Sequence, residues 1–297
     1  MVSRPRSDPH GFPPATLVEP LLRLALAEDL PGGVDITSAA MFEADAVSEG
    51  IFQAKADGLV AGLPLIPLVF GLLDSAVSVE LLVDEGAAVK PKDAIARVRG
   101  PVRALLSGER TTLNLVMRLS GIATATAAYV RAVEGTKARI VDTRKTTPGL
   151  RVLEKYAVRV GGGHNHRMSL SDAAMIKDNH LAASGDPATA IRGLRRRLPH
   201  TARLEVEVTD LATARIAAQS GADIVLLDNM SVDDMAAVVK ELTGRVVLEA
   251  SGGINLDTVA PVAKTGVDVI SVGALTHSVR ALDISFELAG VPAARCG

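Results

Sequence analysis

The chain has no tryptophan, two tyrosines, five phenylalanines and one cysteine in 297 residues. So few rings cannot furnish the stacking platforms on which single-stranded nucleic acids lie. The single thiol, Cys296, excludes an internal disulfide and a cysteine-ligated metal cluster, and a reduced, cytoplasmic setting fits that usage. No stretch reaches the roughly 18 apolar residues of a membrane span. The nearest, GLVAGLPLIPLVFGLL at 58–73, is broken by glycine and proline. The opening MVSRPRSDPHGFPPAT carries charge and proline without an apolar centre, so it is not the pattern of a secretory signal. A net charge of −2 leaves no broad basic surface for nucleic acid.

What is present is aliphatic. Apolar residues make up 48% of the chain, enough for a sizeable core built from Ala, Val, Leu and Gly. Such an interior suits helices packed on parallel strands. Residues 1–15 read as a flexible tail. Val18 to Leu30 reads as an amphipathic helix stopped by Pro31-Gly32-Gly33. From Ala46 to Arg103, short alternating runs such as EGIFQAKA and VSVELLVDEG are divided by Gly, Asp and Pro, the texture of strands and turns in a small α+β domain. Gly108 to Gly135 reads as helix.

Beyond it strand and helix patterns alternate. Strands are expected at ARIVDT, AAMIKD, RLEVEV, DIVLLDN, RVVLEAS and VDVISVGA; the last three begin at 223, 245 and 267, 22 residues apart. Thr147-Pro148 and Asp186-Pro187 read as N-cap plus proline at the first helical position. Gly221, Gly244 and Gly266 fall where helices should stop. The pattern predicts a parallel β/α architecture. Six units fall short of the eight of a closed barrel, so an incomplete barrel is expected.

In such folds chemistry sits at the C-terminal ends of the strands. The residues there are Asp142-Thr143-Arg144-Lys145, Lys177-Asp178-Asn179, Glu205 with Glu207, Asp228-Asn229, Glu249-Ala250-Ser251 and Gly273. Six polar or glycine endings in series imply a lined pocket. Residues 142–180 alone hold seven Lys/Arg and three His against four acids, a surplus of donors suited to a small, highly charged anion. Glu205 and Glu207 share one strand face and need cationic partners, for which Lys145, Lys177 or a divalent metal would serve. For Glu205 a structural pairing competes evenly with a functional one. Glu207, nearer the strand mouth, reads as functional. Ser251-Gly252-Gly253 and Gly273 let backbone N–H groups approach a phosphate. His164-Asn165-His166-Arg167 lacks a third nitrogen or sulfur ligand nearby, so binding to an anion is preferred over metal. Gly161 to Gly163 follow a helix and make no nucleotide fingerprint. The run Arg192, Arg195, Arg196, Arg197 reads as a solvated helix face.

These motifs, in this order, resemble the quinolinate phosphoribosyltransferase family, most densely in ERTTLNLVMRLSGIAT, DTRKTTPGLRVLEKYAVRVGGGHNHRMSLSDAAMIKDNH, EVEV, LLDN, EASGGI and SVGALTHS. The resemblance implies an α/β sandwich domain over 16–112, rejoined by 281–297, and an incomplete β/α barrel over 113–280. It implies phosphoribosyl transfer from 5-phosphoribosyl-1-pyrophosphate (PRPP) to quinolinate with Mg²⁺ and loss of CO₂, giving nicotinate mononucleotide for NAD synthesis. By resemblance Thr143, Arg144, His166, Arg167 and Lys177 bind quinolinate. Arg110 joins them from the partner subunit of a homodimer with shared sites, a higher oligomer also being open. Taken alone, Arg110 beside Glu109 reads as a helix salt bridge. By the same resemblance Lys145 meets the phosphates of PRPP, Glu207 and Asp228 serve its ribose and Mg²⁺, and Ser251, Gly252, Gly253, Gly273 and His277 hold its 5-phosphate. Three rivals stand beside this reading: a related transferase for another substrate, a non-catalytic binder of phosphorylated metabolites, and a barrel aldolase or isomerase using Lys177. Two carboxylate-binding forks, together with Lys145, Glu207 and Asp228, favour the transferase.

Overall fold

The computed structural model describes residues 10–289, so Cys296 and most of the leading tail lie outside it. The chain divides into two compact units: the described residues up to Ala125 with Thr147–Gly161 and those from Val279, and a second unit of Thr126–Thr146 with Gly162–Ser278.

The first unit begins with helices α1 (Ala15–Asp29) and α2 (Ile36–Met41). In α1, Val18, Leu22 and Leu26 recur every four residues and are buried. Asp35 caps α2, accepting from the N–H groups of Thr37 and Ser38 at 3.0 and 3.2 Å. Then come β1 (Val47–Ala54), β2 (Gly58–Leu59), α3 (Leu65–Leu73), β3 (Ser78–Leu81), β4 (Ala88–Val89), β5 (Ala94–Pro101) and the 31-residue α4 (Val102–Ala132), whose residues up to Ala125 belong to this unit. Strand β12 (Ile284–Leu288), near the C-terminus, returns to complete an antiparallel sheet of order β12-β1-β5-β3. Strand β1 alternates buried and part-exposed residues. Its Phe52 packs between Phe70 of α3 and Phe286 of β12, with ring centres 6.2 and 4.8 Å away.

Helix α5 (Arg151–Val160) also belongs to this unit. The sequence pattern makes it a helix between two strands of the repeat, and seven of its ten residues are buried. Its Glu154, fully buried, accepts from Arg118 Nε at 2.7 Å and from the Thr147 N–H at 3.1 Å. Thr147 therefore does not cap a helix starting at Pro148. Its hydroxyl accepts from Arg118 at 2.8 Å, and the helix starts only at Arg151, after a turn. The described end of the tail is likewise tied down. Phe12 meets Tyr156 edge-on at 5.1 Å, Arg159 donates to the carbonyls of His10 and Gly11, and α1 starts at Ala15. The unit also extends past the boundary expected at 112/113, because α4 hydrogen-bonds into it through Ser120 and Thr124, which accept from the N–H groups of Ala61 and Leu59 at 3.0 and 2.9 Å.

The second unit holds the six expected strands, β6 (Arg139–Val141), β7 (Ala174–Ile176), β8 (Leu204–Val208), β9 (Ile224–Asp228), β10 (Val247–Ser251) and β11 (Val269–Ser271). They pair in parallel in the order β6-β11-β10-β9-β8-β7. Consecutive β6 and β7 thus occupy opposite edges, the signature of an incomplete barrel. Helices α6 (Asp178–Ser184), α7 (Pro187–Arg195), α8 (Leu211–Gln219), α9 (Val232–Leu242) and α10 (Val259–Lys264) connect β7 through β11, and α11 (Ala274–His277) follows β11. Asp186, Asp210 and Ser231 cap α7, α8 and α9. Gly221, Gly244 and Gly266 end α8 to α10 with positive φ of 101°, 78° and 90°. Val206, Val225, Leu227 and Leu248 are completely buried, each contributing about 2 kcal/mol of transfer free energy. The arginine run is only partly a solvated face, since Arg195 donates to the Asp223 carboxylate at 2.9 Å and the Ala202 carbonyl at 3.2 Å.

One close approach in the first unit is testable. A Cβ on Gly121 of α4 would collide with the Arg280 carbonyl oxygen and lie 3.0 Å from Ala281 Cα, both backbone atoms. Gly121→Ala is expected to lower unfolding free energy by about 2 kcal/mol. The readout is a reduced urea midpoint at unchanged slope; an unchanged midpoint would mean that the backbone yields freely there.

Candidate active site

The parallel register sets the C-terminal ends of the strands side by side, and the residues expected to act lie there. Ser251 is opposite Asp228, and Val208 is opposite Leu227. Lys177 follows β7 and reaches Glu207 of β8, Nζ to Oε2 2.7 Å. Lys145 follows β6. A Cβ on Gly273 would lie 3.0 Å from its Cδ and 3.1 Å from His277 Nε2, so glycine is what lets these two side chains meet over the end of β11. The Thr276 hydroxyl donates to the Lys145 carbonyl at 2.8 Å, fixing that loop, and Thr143 Oγ1 accepts from the Lys145 N–H at 3.0 Å. After β10, Gly252 and Gly253 adopt positive φ of 87° and 62°. Thr143, Arg144, Lys145, His166, Arg167, Lys177, Glu207, Asp228, Ser251–Gly253, Gly273 and His277 all belong to this one unit. Arg110 belongs to the first, where it is exposed and stands 4.0 Å from Glu109.

Beneath the mouth lies a buried polar layer. Asp142, fully buried at the end of β6, accepts from the His166 N–H at 2.9 Å and from Asn165 Nδ2 at 2.5 Å. This holds the loop that carries His166 and Arg167. Both ring nitrogens of His166 turn towards the protein. Nδ1 accepts from the Arg167 N–H at 2.8 Å, and Nε2 lies 3.2 Å from Glu205 Oε2 and 3.6 Å from Glu249 Oε1. Glu205 and Glu249 are 1% and 3% exposed, so the partner of Glu205 is this imidazole, and the lysine goes to Glu207. Arg167 donates to the Ala173 carbonyl at 2.8 Å. Burial lowers its pKa most, the nearby Arg144 charge lowers it further, and Glu205 and Asp172 oppose both.

His166, Glu205 and Glu249 could together hold a cation, their ligand atoms lying within 4.8 Å of one another. A nitrogen donor in a dry position suits Mg²⁺ poorly, since that ion prefers oxygen ligands and keeps several waters. Glu207 and Asp228, part-exposed carboxylates on neighbouring strands, are the better donor set for it. The roles of Asp142 and Glu249 were not readable from sequence. Asp142 directly follows β6 and Glu249 lies in the middle of β10 two residues before its end, where solvated side chains are also common, and only burial distinguishes them.

Burial pushes the Glu249 carboxyl from 4.5 up to about 7; the negative Glu205 adds to the rise, while His166 and Ser271 oppose it. A carboxyl raised in the fold favours folding while protonated. Its contribution is whole below 4.5 and is lost as pH climbs through about 7. That interval corresponds to at most about 3 kcal/mol. Glu249→Gln should match the parent near pH 5 and exceed it by about 1–3 kcal/mol near pH 8 in urea unfolding. Equal differences at both pH values would refute the raised carboxyl.

Residues 35–120 match the N-terminal domain of quinolinate phosphoribosyl transferase, and residues 122–287 match its C-terminal domain. The chain is 46% identical over 272 residues to nicotinate-nucleotide pyrophosphorylase (carboxylating) of Mycobacterium leprae, covering 90% of this chain and 95% of that protein. It is 41% identical over 282 residues to the Homo sapiens protein of the same name, covering 93% of each. The crystal structure of NadC from Streptococcus pyogenes superposes with a TM-score of 0.89 at 41% identity, covering 93% of this chain and 98% of that one. With both domains matched in order, the chain belongs to the quinolinate phosphoribosyl transferase family.

Proposed function

We propose that the mouth of the second unit binds quinolinate and PRPP together and aligns them for transfer. The protein is a carboxylating nicotinate-nucleotide pyrophosphorylase, which joins the two substrates, releases pyrophosphate and CO₂ and yields nicotinate mononucleotide. The observation that carries the site reading is the placing of two guanidinium groups, Arg144 and Arg167, close enough for one charge to act on the other. A planar dicarboxylate accepts two such forks at once.

In this reading Arg144, Arg167, Thr143 and Lys177 hold quinolinate; His166, also expected to bind it, turns both ring nitrogens towards the protein and instead sets Arg167 by accepting from its backbone N–H. Lys145, Ser251, Gly252, Gly253, Gly273 and His277 take the phosphates of PRPP. Glu207 and Asp228 face the ribose and offer the oxygens for Mg²⁺, which when bound supplies positive charge against the departing pyrophosphate. Lys145 adds to that charge. As the ribose C1–oxygen bond lengthens, positive charge grows on the sugar, and the two carboxylates stabilise it. The pyridine nitrogen forms the new bond to C1. Its positive charge then accepts the electron pair left when the C2–carboxylate bond breaks, and a proton takes the vacated position. No covalent enzyme intermediate arises, so alignment of the substrates is the main contribution.

We also propose a cytoplasmic homodimer, no membrane or nucleic-acid partner, and Arg110 completing the partner subunit's site. Among the described residues no helix is long and apolar enough to cross a membrane.

Protein with PRPP, Mg²⁺ and quinolinate labelled at the 2-carboxylate should release labelled CO₂, and nicotinate in its place should give no nucleotide. Nucleotide from nicotinate without CO₂ from quinolinate would overturn the substrate assignment. Arg110→Ala and Arg144→Ala proteins, each inactive, should recover about a quarter of the parent rate after subunit exchange, as random re-association of two-fold dimers requires. Exchange verified by mass spectrometry with no recovery would place Arg110 outside the site.

A further inference from the structure

Asn229 stands directly after Asp228 at the end of β9, and it is one of two residues other than glycine with positive φ among those described, at 52°. That conformation costs a side-chain-bearing residue free energy, asparagine less than most, and persists where the surroundings demand it. Three contacts show what demands it. The side-chain amide turns back, and Nδ2 donates to Asp228 Oδ2 at 2.8 Å. The backbone N–H donates to the Ser251 carbonyl at 2.9 Å. The amide also lies flat against Gly252, where an added Cβ would come 2.5 Å from Asn229 Cγ and 2.8 Å from Nδ2. Gly252 is thus glycine for two reasons, its φ of 87° and the side chain above it.

The sequence gives Asn229 no task beyond lying at a strand end. In the fold it is a strut between two loops that act on opposite ends of one molecule. Asp228 faces the ribose, and Ser251-Gly252-Gly253 faces the 5-phosphate. We infer that Asn229 is a positioning residue for PRPP, holding the Asp228 carboxylate and the Gly252 backbone at the separation set by the ribose and its 5-phosphate. This rests on the PRPP assignment given above. Without the amide, Asp228 is free to rotate and the glycine loop loses the surface it leans on, so PRPP binding weakens. Quinolinate, held by Arg144 and Arg167, is unaffected.

Two variants separate the side chain from the backbone. Asn229→Gly keeps the positive φ without strain and deletes the amide. Asn229→Asp keeps shape and φ but exchanges the donor for a second carboxylate beside Asp228. Calorimetric titration with PRPP in Mg²⁺, and separately with quinolinate, reads the effect without turnover. Both variants should bind PRPP about tenfold or more weakly, the scale of one lost hydrogen bond to a charged group. Their quinolinate affinity should stay within about twofold and their melting temperature near the parent's. In assays KM for PRPP should rise and KM for quinolinate stay level. Unchanged PRPP affinity in Asn229→Gly would overturn the inference, as would equal weakening towards both ligands, which marks general loosening. If the parent itself binds no PRPP, the underlying assignment fails, and the inference falls with it.

Discussion

The site depends on parallel strand pairing in register. Because β8, β9 and β10 run the same way, hydrogen bonding between them carries Glu207, Asp228 and Ser251 to one edge without any side chain having to seek another. Each intervening helix stops at a glycine in the left-handed region and the chain turns back, so the repeat is renewed at nearly constant length. The chemistry then needs only the residue at each strand end to be chosen.

Those choices leave a concentration of charge that would be unfavourable if it were not layered. Arg144, Lys145, Arg167 and Lys177 crowd one rim. Below them Glu205 supplies opposite charge to Arg167, and Glu207 pairs with Lys177. The deeper acids are not paired with a lysine. They face an imidazole, and one of them, Glu249, keeps its proton up to about pH 7 because burial and Glu205 both disfavour a second negative charge. The rim keeps a net positive charge suited to anions, and the interior is spared two uncompensated carboxylates.

Much of this was legible in the sequence. The six strands, their order of appearance, the glycine stops and the Asp186 cap follow from periodicity and local hydrogen-bonding preference, which act within a few residues. Thr147-Pro148 misled because the same preference was overridden by a distant partner: Arg118 takes the threonine hydroxyl, and the helix starts three residues after the proline. Placing α5 with the first unit could not be read either. Its buried Glu154 and Lys155 look like a polar helix face until the Arg118 contact is known. Arg195 shows the reverse, a charge run in which one member bends back to Asp223. In each case a hydrogen bond from an arginine, formed across 28 residues or more, decided the outcome, and no local pattern records such a pairing.

Glu205 and Glu207 show how depth on one strand sets function. They are two residues apart and share a face, yet their side chains are 1% and 12% exposed. The shallower is open to solvent, so it can exchange its lysine for another cation at little cost. The deeper cannot, since leaving His166 and Arg167 would strand a charge in a dry interior. Glu205 is therefore a fixed point, and what it fixes is the loop above it: His166 holds the Arg167 N–H, and the Arg167 guanidinium is partly desolvated beside Glu205. The even choice between structure and function that the sequence left at Glu205 resolves into a structural residue whose charge acts on the site from one layer below.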